Sequence, residues 1–134
     1  ESVFCSRIDG LGFDALKVLN KLAYIVSTEK NSVVSARANK LNIPVLYGVK
    51  DKGNIIKNLS KEKNVELSKI LFVGNDLNDY YAMKLCGYSA CPSDSHPKIK
   101  DIASFVLKTK GGHGLMRELL EEVFELNVLQ ILYK

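Results

Sequence analysis

Apolar residues fall in short clusters along the chain, and their spacing alternates between two regimes. From Asp9 to Leu22 the positions Leu11, Ala15, Val18 and Leu22 follow a 3.6-residue period, with Asp9 placed to cap the first turn, which predicts a helix. Ala23-Tyr24-Ile25-Val26 is a run of β-favouring residues that stops abruptly at the polar Ser27-Thr28-Glu29-Lys30, the pattern of a buried strand. The alternation continues with a helix over about Ser32 to Leu41, a strand at Pro44 to Tyr47, a helix over about Lys52 to Lys63 and a strand at Ile70 to Val73. A polar loop, Gly74 to Asp79, then precedes a helix carrying Leu77, Tyr81 and Leu85 on one face, with Gly87 suited to its C-terminal cap. Tyr88 to Cys91 and Ser104 to Leu107 read as further strands, separated by a helical turn opening at Ser95-His96-Pro97. Gly111 to Gly114 is a flexible connection, and a last helix from about Leu115 repeats apolar residues at Met116, Leu119, Val123 and Phe124.

Strands this short and apolar, each followed by a helix, predict an α/β fold with a parallel sheet covered on both faces. In such sheets ligands bind beyond the carboxyl ends of the strands. The segments to search are therefore Ser27 to Lys30, Gly48 to Lys52 and Gly74 to Asp79.

Composition narrows the class. With 134 residues, 46% of them hydrophobic, the chain suits one core, so residues 1–134 are expected to form a single domain. The net charge is only +4, and the lysines are interspersed with acids, which argues against a nucleic-acid partner. No apolar run reaches the roughly 18 to 20 residues of a membrane span, and the first residues lack the pattern of a signal peptide, so a cytoplasmic protein is expected. Cys5, Cys86 and Cys91 fall in no metal-ligand spacing and sit among apolar neighbours, where they read as small buried hydrophobes.

The loop after Val73 offers a carboxamide, Asn75, and two carboxylates, Asp76 and Asp79, the oxygen ligands that Mg²⁺ favours. Both aspartates also read as helix N-terminal residues favoured by the macrodipole. Lys52 opens a helix, where a cation opposes the dipole and calls for an anion nearby, unless it is simply a solvated lysine. Ser27 ends a strand before a helix, where its hydroxyl can meet a phosphate or serve as a plain cap. Asp94, Ser95 and His96 are adjacent in sequence and read as a helix cap, and His113 as an exposed loop residue.

A hydroxyl after one strand, a lysine before a later helix and an acidic loop after the next strand, in that order, resemble three of the four motifs of the haloacid dehalogenase-like phosphatases. The stretches SRIDGLGFDALK, STEKNSVVSARANKLNIP, YGVKDK, FVGNDLND, CPSDSHPKIKDIA and KGGHGLMREL extend the resemblance over nearly the whole chain. They are similar to the branch that hydrolyses 3-deoxy-octulosonate 8-phosphate and nonulosonate 9-phosphates, and in particular to the phosphatase-like domain associated with acylneuraminate cytidylyltransferases.

The resemblance implies a Rossmann-like fold, Mg²⁺ as cofactor, Ser27 as the phosphate-binding hydroxyl and Lys52 as the cation facing the transferred phosphoryl group. Asn75 and Asp76 then stand at the metal position, with Asp79 in support. Most relatives carry aspartate where this chain has Asn75, a neutral oxygen ligand, although some share the GND spelling. Glu29, Arg37 and Lys40 match a substrate-binding pattern, with Arg37 and Lys40 one helical turn apart, and favour a nine-carbon sugar acid over an eight-carbon one.

The DxDG motif that carries the nucleophile in this family does not occur in the chain; its single DG, Asp9-Gly10, matches a later segment. The central nucleophile strand is thus expected to be missing, most of the following hairpin with it, and the chain to be a fragment of a longer polypeptide, inactive by itself. Two functions follow as expectations: a Mg²⁺-dependent phosphatase of a nonulosonic or octulosonic sugar-acid phosphate in surface-polysaccharide biosynthesis, or a non-catalytic domain organising the oligomer of a cytidylyltransferase. The apolar tail, Leu126 to Tyr133, has no evident partner in so small a domain and, with residues 2 to 6, predicts a homo-oligomer, a tetramer by resemblance.

Overall fold

The computed structural model describes residues 7–26, 43–46, 50–111 and 114–133, with side chains from residue 11 onward. Helix α1 spans Arg7–Val18. It stops short of Leu22 because Asn20 takes the left-handed conformation (φ 58°), its N–H bonding to Lys17 and that of Lys21 to Leu16. Asparagine adopts that conformation more readily than most residues. Strands β1 (Ile25–Val26) and β2 (Val45–Leu46) pair in parallel, Ile25 opposite Val45. The helix expected over about Ser32 to Leu41 lies outside the described residues.

Helix α2, Lys52–Lys63, has the predicted bounds, and both ends explain why. Asp51 accepts the N–H of Asn54 at its start (3.0 Å), and Asn64 turns left-handed (φ 54°) at its end. Strands β3 (Leu71–Val73), β4 (Tyr88–Cys91) and β5 (Phe105–Val106) form a second parallel sheet in that order, with Leu71 opposite Tyr88 and Ala90 opposite Phe105. Helices α3 (Tyr80–Leu85) and α4 (Pro97–Ile102) lie between its strands in sequence, and α5 (Leu115–Glu118) continues as a π-helical turn, Leu119–Val123.

Side-chain alternation along β3 and β4 divides this sheet between two cores. Phe72 and Cys91 join Ile56, Ala82, Met83, Cys86 and Ile99 on one face, where α2, α3 and α4 pack. Leu71, Val73 and Ala90 meet Leu107, Leu115 and Leu119 on the other, under α5. Both faces are therefore covered, as the apolar strands required. Val26 of β1 reaches the first of these cores too, yet no strand ladder joins β1 or β2 to β3 among the described residues.

Other details differ from the sequence reading: α1 already begins at Arg7, so Asp9 lies within it and does not cap it, and Val18 and Leu22 are exposed and not on its buried face. A 3₁₀ turn, Leu77–Asp79, precedes α3 and shifts its phase, so the buried face carries Ala82, Met83 and Cys86 while Leu77 and Tyr81 are exposed. Gly87 is needed for close approach instead of a left-handed cap: its N–H bonds to Leu67 at 2.8 Å, and a Cβ there would collide with the Ser68 carbonyl. The apolar tail folds back as α6 (Val128–Tyr133), and Val128 packs with Ala15 of α1 and Leu120, leaving Leu129 and Tyr133 exposed. The tail's amphipathic spacing lets a helix bury half of it within the chain. Among the described residues, no helix is long and apolar enough to cross a membrane.

Candidate active site

The first residue of α2, Lys52, is 2% exposed. A buried ammonium at a helix N-terminus is costly twice over, in lost hydration and in opposition to the helix dipole. Asp79 answers both, with its Oδ1 2.8 Å from Lys52 Nζ and its side chain fully buried. The other oxygen, Oδ2, accepts the backbone N–H groups of Asn75 (2.9 Å) and Asp76 (3.3 Å). One carboxylate thus ties α2 to the loop leaving β3. Gly74 makes room for it, since a Cβ there would lie 2.6 Å from that of Asp79.

Asp76 starts the 3₁₀ turn: its Oδ1 accepts the N–H of Leu77 at 2.7 Å, and the residue is exposed. Asn75 is held on both sides of its backbone, its N–H by Asp79 and its carbonyl by the N–H of His96 at 3.0 Å. Its side-chain oxygen is buried and has no hydrogen-bond partner among the described residues. An orphaned, buried oxygen beside an aspartate at the end of a parallel strand is a donor set that suits a hard cation. Among the described residues, no group of three or more His, Cys, Asp or Glu side chains is placed to hold a metal ion.

The structure brings Lys52, Asn75, Asp76 and Asp79 together at the carboxyl edge of the sheet. Ser27, Glu29, Arg37 and Lys40 lie outside the described residues, as does His113. The Lys52–Asp79 pair escaped the sequence reading because nothing in a pattern links residues 27 apart.

The loops after β4 and β5 complete the rim. Ser93 donates its N–H to the Thr109 carbonyl (2.9 Å), and Gly111 donates to Asp94 Oδ1 (3.1 Å). Ser95 Oγ bonds to the Pro92 carbonyl (2.7 Å) and His96 Nδ1 accepts the N–H of Lys98 (3.1 Å), so Asp94, Ser95 and His96 shape the turn that opens α4. A residue the sequence reading passed over, Glu118, accepts the N–H groups of Lys108 (2.8 Å) and Thr109 (2.9 Å). Burial pushes its carboxyl up, but these two backbone donors, with the nearby Lys108 charge, outweigh burial and hold it below the ordinary carboxylate range. Cys86 and Cys91 are buried, as expected of small hydrophobes. Burial pushes the Cys86 thiol up to about 11 and raises that of Cys91.

The fold defines an α/β domain with parallel sheets and a polar cluster at the carboxyl ends of its strands. The profile of the haloacid dehalogenase-like hydrolases matches residues 13–119, and the chain belongs to that family. Within the family it is similar to the 3-deoxy-D-manno-octulosonate 8-phosphate phosphatase KdsC of Yersinia pestis, 30% identical over 114 residues, which cover 84% of this chain and 61% of the relative. The chain thus spans about three fifths of the length of that relative. Two solved structures superpose closely. The cobalt-bound deoxy-D-mannose-octulosonate 8-phosphate phosphatase of Haemophilus influenzae has a TM-score of 0.83 at 26% identity, over 96% of this chain and 72% of that one. The octulosonate 8-phosphate phosphatase of Moraxella catarrhalis, in complex with magnesium, phosphate and KDO, has a TM-score of 0.82 at 25% identity, over 98% and 78%.

Proposed function

We propose that the protein carrying this chain is a Mg²⁺-dependent phosphomonoesterase of a sugar-acid phosphate. The observation that carries the reading is the buried Lys52–Asp79 pair set beside the orphaned oxygen of Asn75 at the strand ends. Asn75 and Asp76 would hold the cation, which when bound neutralises charge on phosphate oxygens. Lys52, kept in place by Asp79, stabilises negative charge as the phosphoryl group transfers, and the Ser27 hydroxyl donates to a phosphate oxygen.

The covalent step belongs to a DxDG aspartate on a further strand, and its place in this reading is between β1 and β3, which share a core without a ladder among the described residues. Its carboxylate attacks phosphorus, the ester P–O bond breaks, and the second aspartate protonates the leaving oxygen. That residue then takes a proton from the water that hydrolyses the aspartyl phosphate. Residues 1–134 assayed alone are therefore expected to be inactive. Turnover of a sugar-acid phosphate by that polypeptide, after removal of any longer form, would overturn this assignment of the nucleophile.

The names of the relatives favour an eight-carbon, octulosonate 8-phosphate substrate. Glu29, with Arg37 and Lys40, favours a nonulosonate 9-phosphate instead. Relative kcat/KM for the two substrates decides between them, and Glu29→Arg should move the preference away from nonulosonate; an unchanged ratio would remove Glu29 from specificity. Lys52→Ala in the active protein should lower kcat at least about 100-fold, and a change confined to KM would argue against its role. That the relatives are phosphatases favours the enzyme over a non-catalytic domain organising a cytidylyltransferase. The proposed assembly, a homotetramer, is read by light scattering at micromolar concentration.

A further inference from the structure

We propose that Glu118 is a positioning residue for Asn75, acting through the loops after β5 and β4. Glu118 ends α5 between Leu115 and Leu119, both buried in the core under the sheet, and is itself 8% exposed. Packing alone would be served better there by a leucine or methionine, because a buried carboxylate is costly unless hydrogen-bonded. Both its oxygens are used, Oε2 on the N–H of Lys108 and Oε1 on that of Thr109, consecutive amides just past β5. Charge-assisted bonds of this kind are short and directional, and two from one rigid group set the course of the chain leaving the strand.

From that turn a series of hydrogen bonds, joined through the short chain segment Pro92 to His96, leads to the candidate site. The Thr109 carbonyl holds Ser93 at 2.9 Å, and Asp94 Oδ1 holds Gly111 at 3.1 Å. The Pro92 carbonyl closes the turn by accepting both the Oγ (2.7 Å) and the N–H (3.2 Å) of Ser95. The next residue, His96, donates its N–H to the carbonyl of Asn75 at 3.0 Å. Asn75 is therefore fixed from two directions, by Asp79 at its N–H and by this series at its carbonyl. Its side-chain oxygen has no partner among the described residues, so its direction follows the course of the backbone. Glu118 anchors the far end of the series. That Asn75 receives a cation rests on the function proposed above; that Glu118 sets its backbone does not.

Glu118→Gln tests this in the full chain. Glutamine keeps the shape but places an NH₂ against one of two backbone N–H groups, so one bond is lost and a donor faces a donor. Leu119→Ala, next in sequence and buried in the same core, is the control for packing loss alone. Backbone amide exchange followed by NMR should accelerate at Ser93 and His96 by at least about 10-fold in Glu118→Gln relative to Leu119→Ala, with Ile56 in α2 as reference. Should Gln prevent folding, Glu118→Asp, which keeps both acceptors at shorter reach, is read in the same way.

Acceleration that stops at Ser93 without reaching His96, or that is equal in the two variants, would overturn the proposal and leave Glu118 an anchor of the β5 loop. Magnesium chloride titrated against the Asn75 side-chain amide signal gives the second readout. At least about 5-fold weaker binding is expected for Glu118→Gln, and less than about 2-fold change for Leu119→Ala. If the unsubstituted chain shows no response to Mg²⁺, the cation reading of Asn75 fails, and the exchange rates alone decide the role of Glu118.

Discussion

Asp79 and Glu118 are both buried carboxylates at the carboxyl edge of the three-stranded sheet, yet they are held by different kinds of partner. Asp79 faces the ammonium of Lys52 and takes two backbone amides on its second oxygen. Glu118 rests on two backbone amides, one to each oxygen. A side-chain ammonium can share its charge with an arriving phosphate, whereas an amide cannot move without the chain moving with it. The region around Asp79 is therefore suited to chemistry and the region around Glu118 to framing it.

Substitutions sharpen this contrast, most strongly at the ion pair. Asp79→Ala is expected to cost about 3 to 5 kcal/mol, because it removes the carboxylate facing a buried ammonium; denaturant unfolding measures it. The double replacement Lys52→Met with Asp79→Leu should cost less than Asp79→Ala alone, since it removes both charges from the interior. A double variant as unstable as the single one would mean that the pair owes little to charge burial.

At the second carboxylate, Glu118→Gln should cost about 1.5 to 3 kcal/mol, the range for a hydrogen bond to a charged group. Its pH dependence carries a definite sign. Folding holds the Glu118 carboxyl below the ordinary range, so the native state binds fewer protons there than the unfolded chain. The stabilisation is complete above the unfolded value, about 4.3 for glutamate, and is lost as pH falls through the lower folded value. The Tm difference between the native chain and Glu118→Gln should therefore be largest near neutral pH and shrink on acidification, and a gap that widens in acid would contradict the assignment. The smallest effect is expected on α6, where Leu129→Ser, at a residue 71% exposed, should change stability by no more than about 0.5 kcal/mol unless the position is covered by another subunit. A larger loss that depends on protein concentration would favour the oligomer.

The local pattern was informative wherever one element decides its own form. The bounds of α2 and β4 match the pattern at Lys52 to Lys63 and at Tyr88 to Cys91, and the parallel, doubly covered sheet follows from short, largely apolar strands. The family, too, was readable from ordered motifs at the strand ends, and the profile match bears it out. Where the reading went astray, a neighbour distant in sequence or a turn of unforeseen geometry had intervened. The 3₁₀ turn rotated α3, the Ser68 carbonyl imposed Gly87, and α1 supplied the cover that the tail lacked on paper.

What the sequence determined by itself is most of the described helices and strands and the residue types presented after β3, because periodicity, capping and strand composition act over a few residues. Pairings across the fold were decided only by tertiary structure: Lys52 with Asp79, Glu118 with the amides after β5, and the Asn75 side-chain oxygen left buried and unbonded among the described residues. These depend on which loops meet at one edge of a sheet. That meeting is set by packing and desolvation over the whole chain, to which no short window of residues is sensitive.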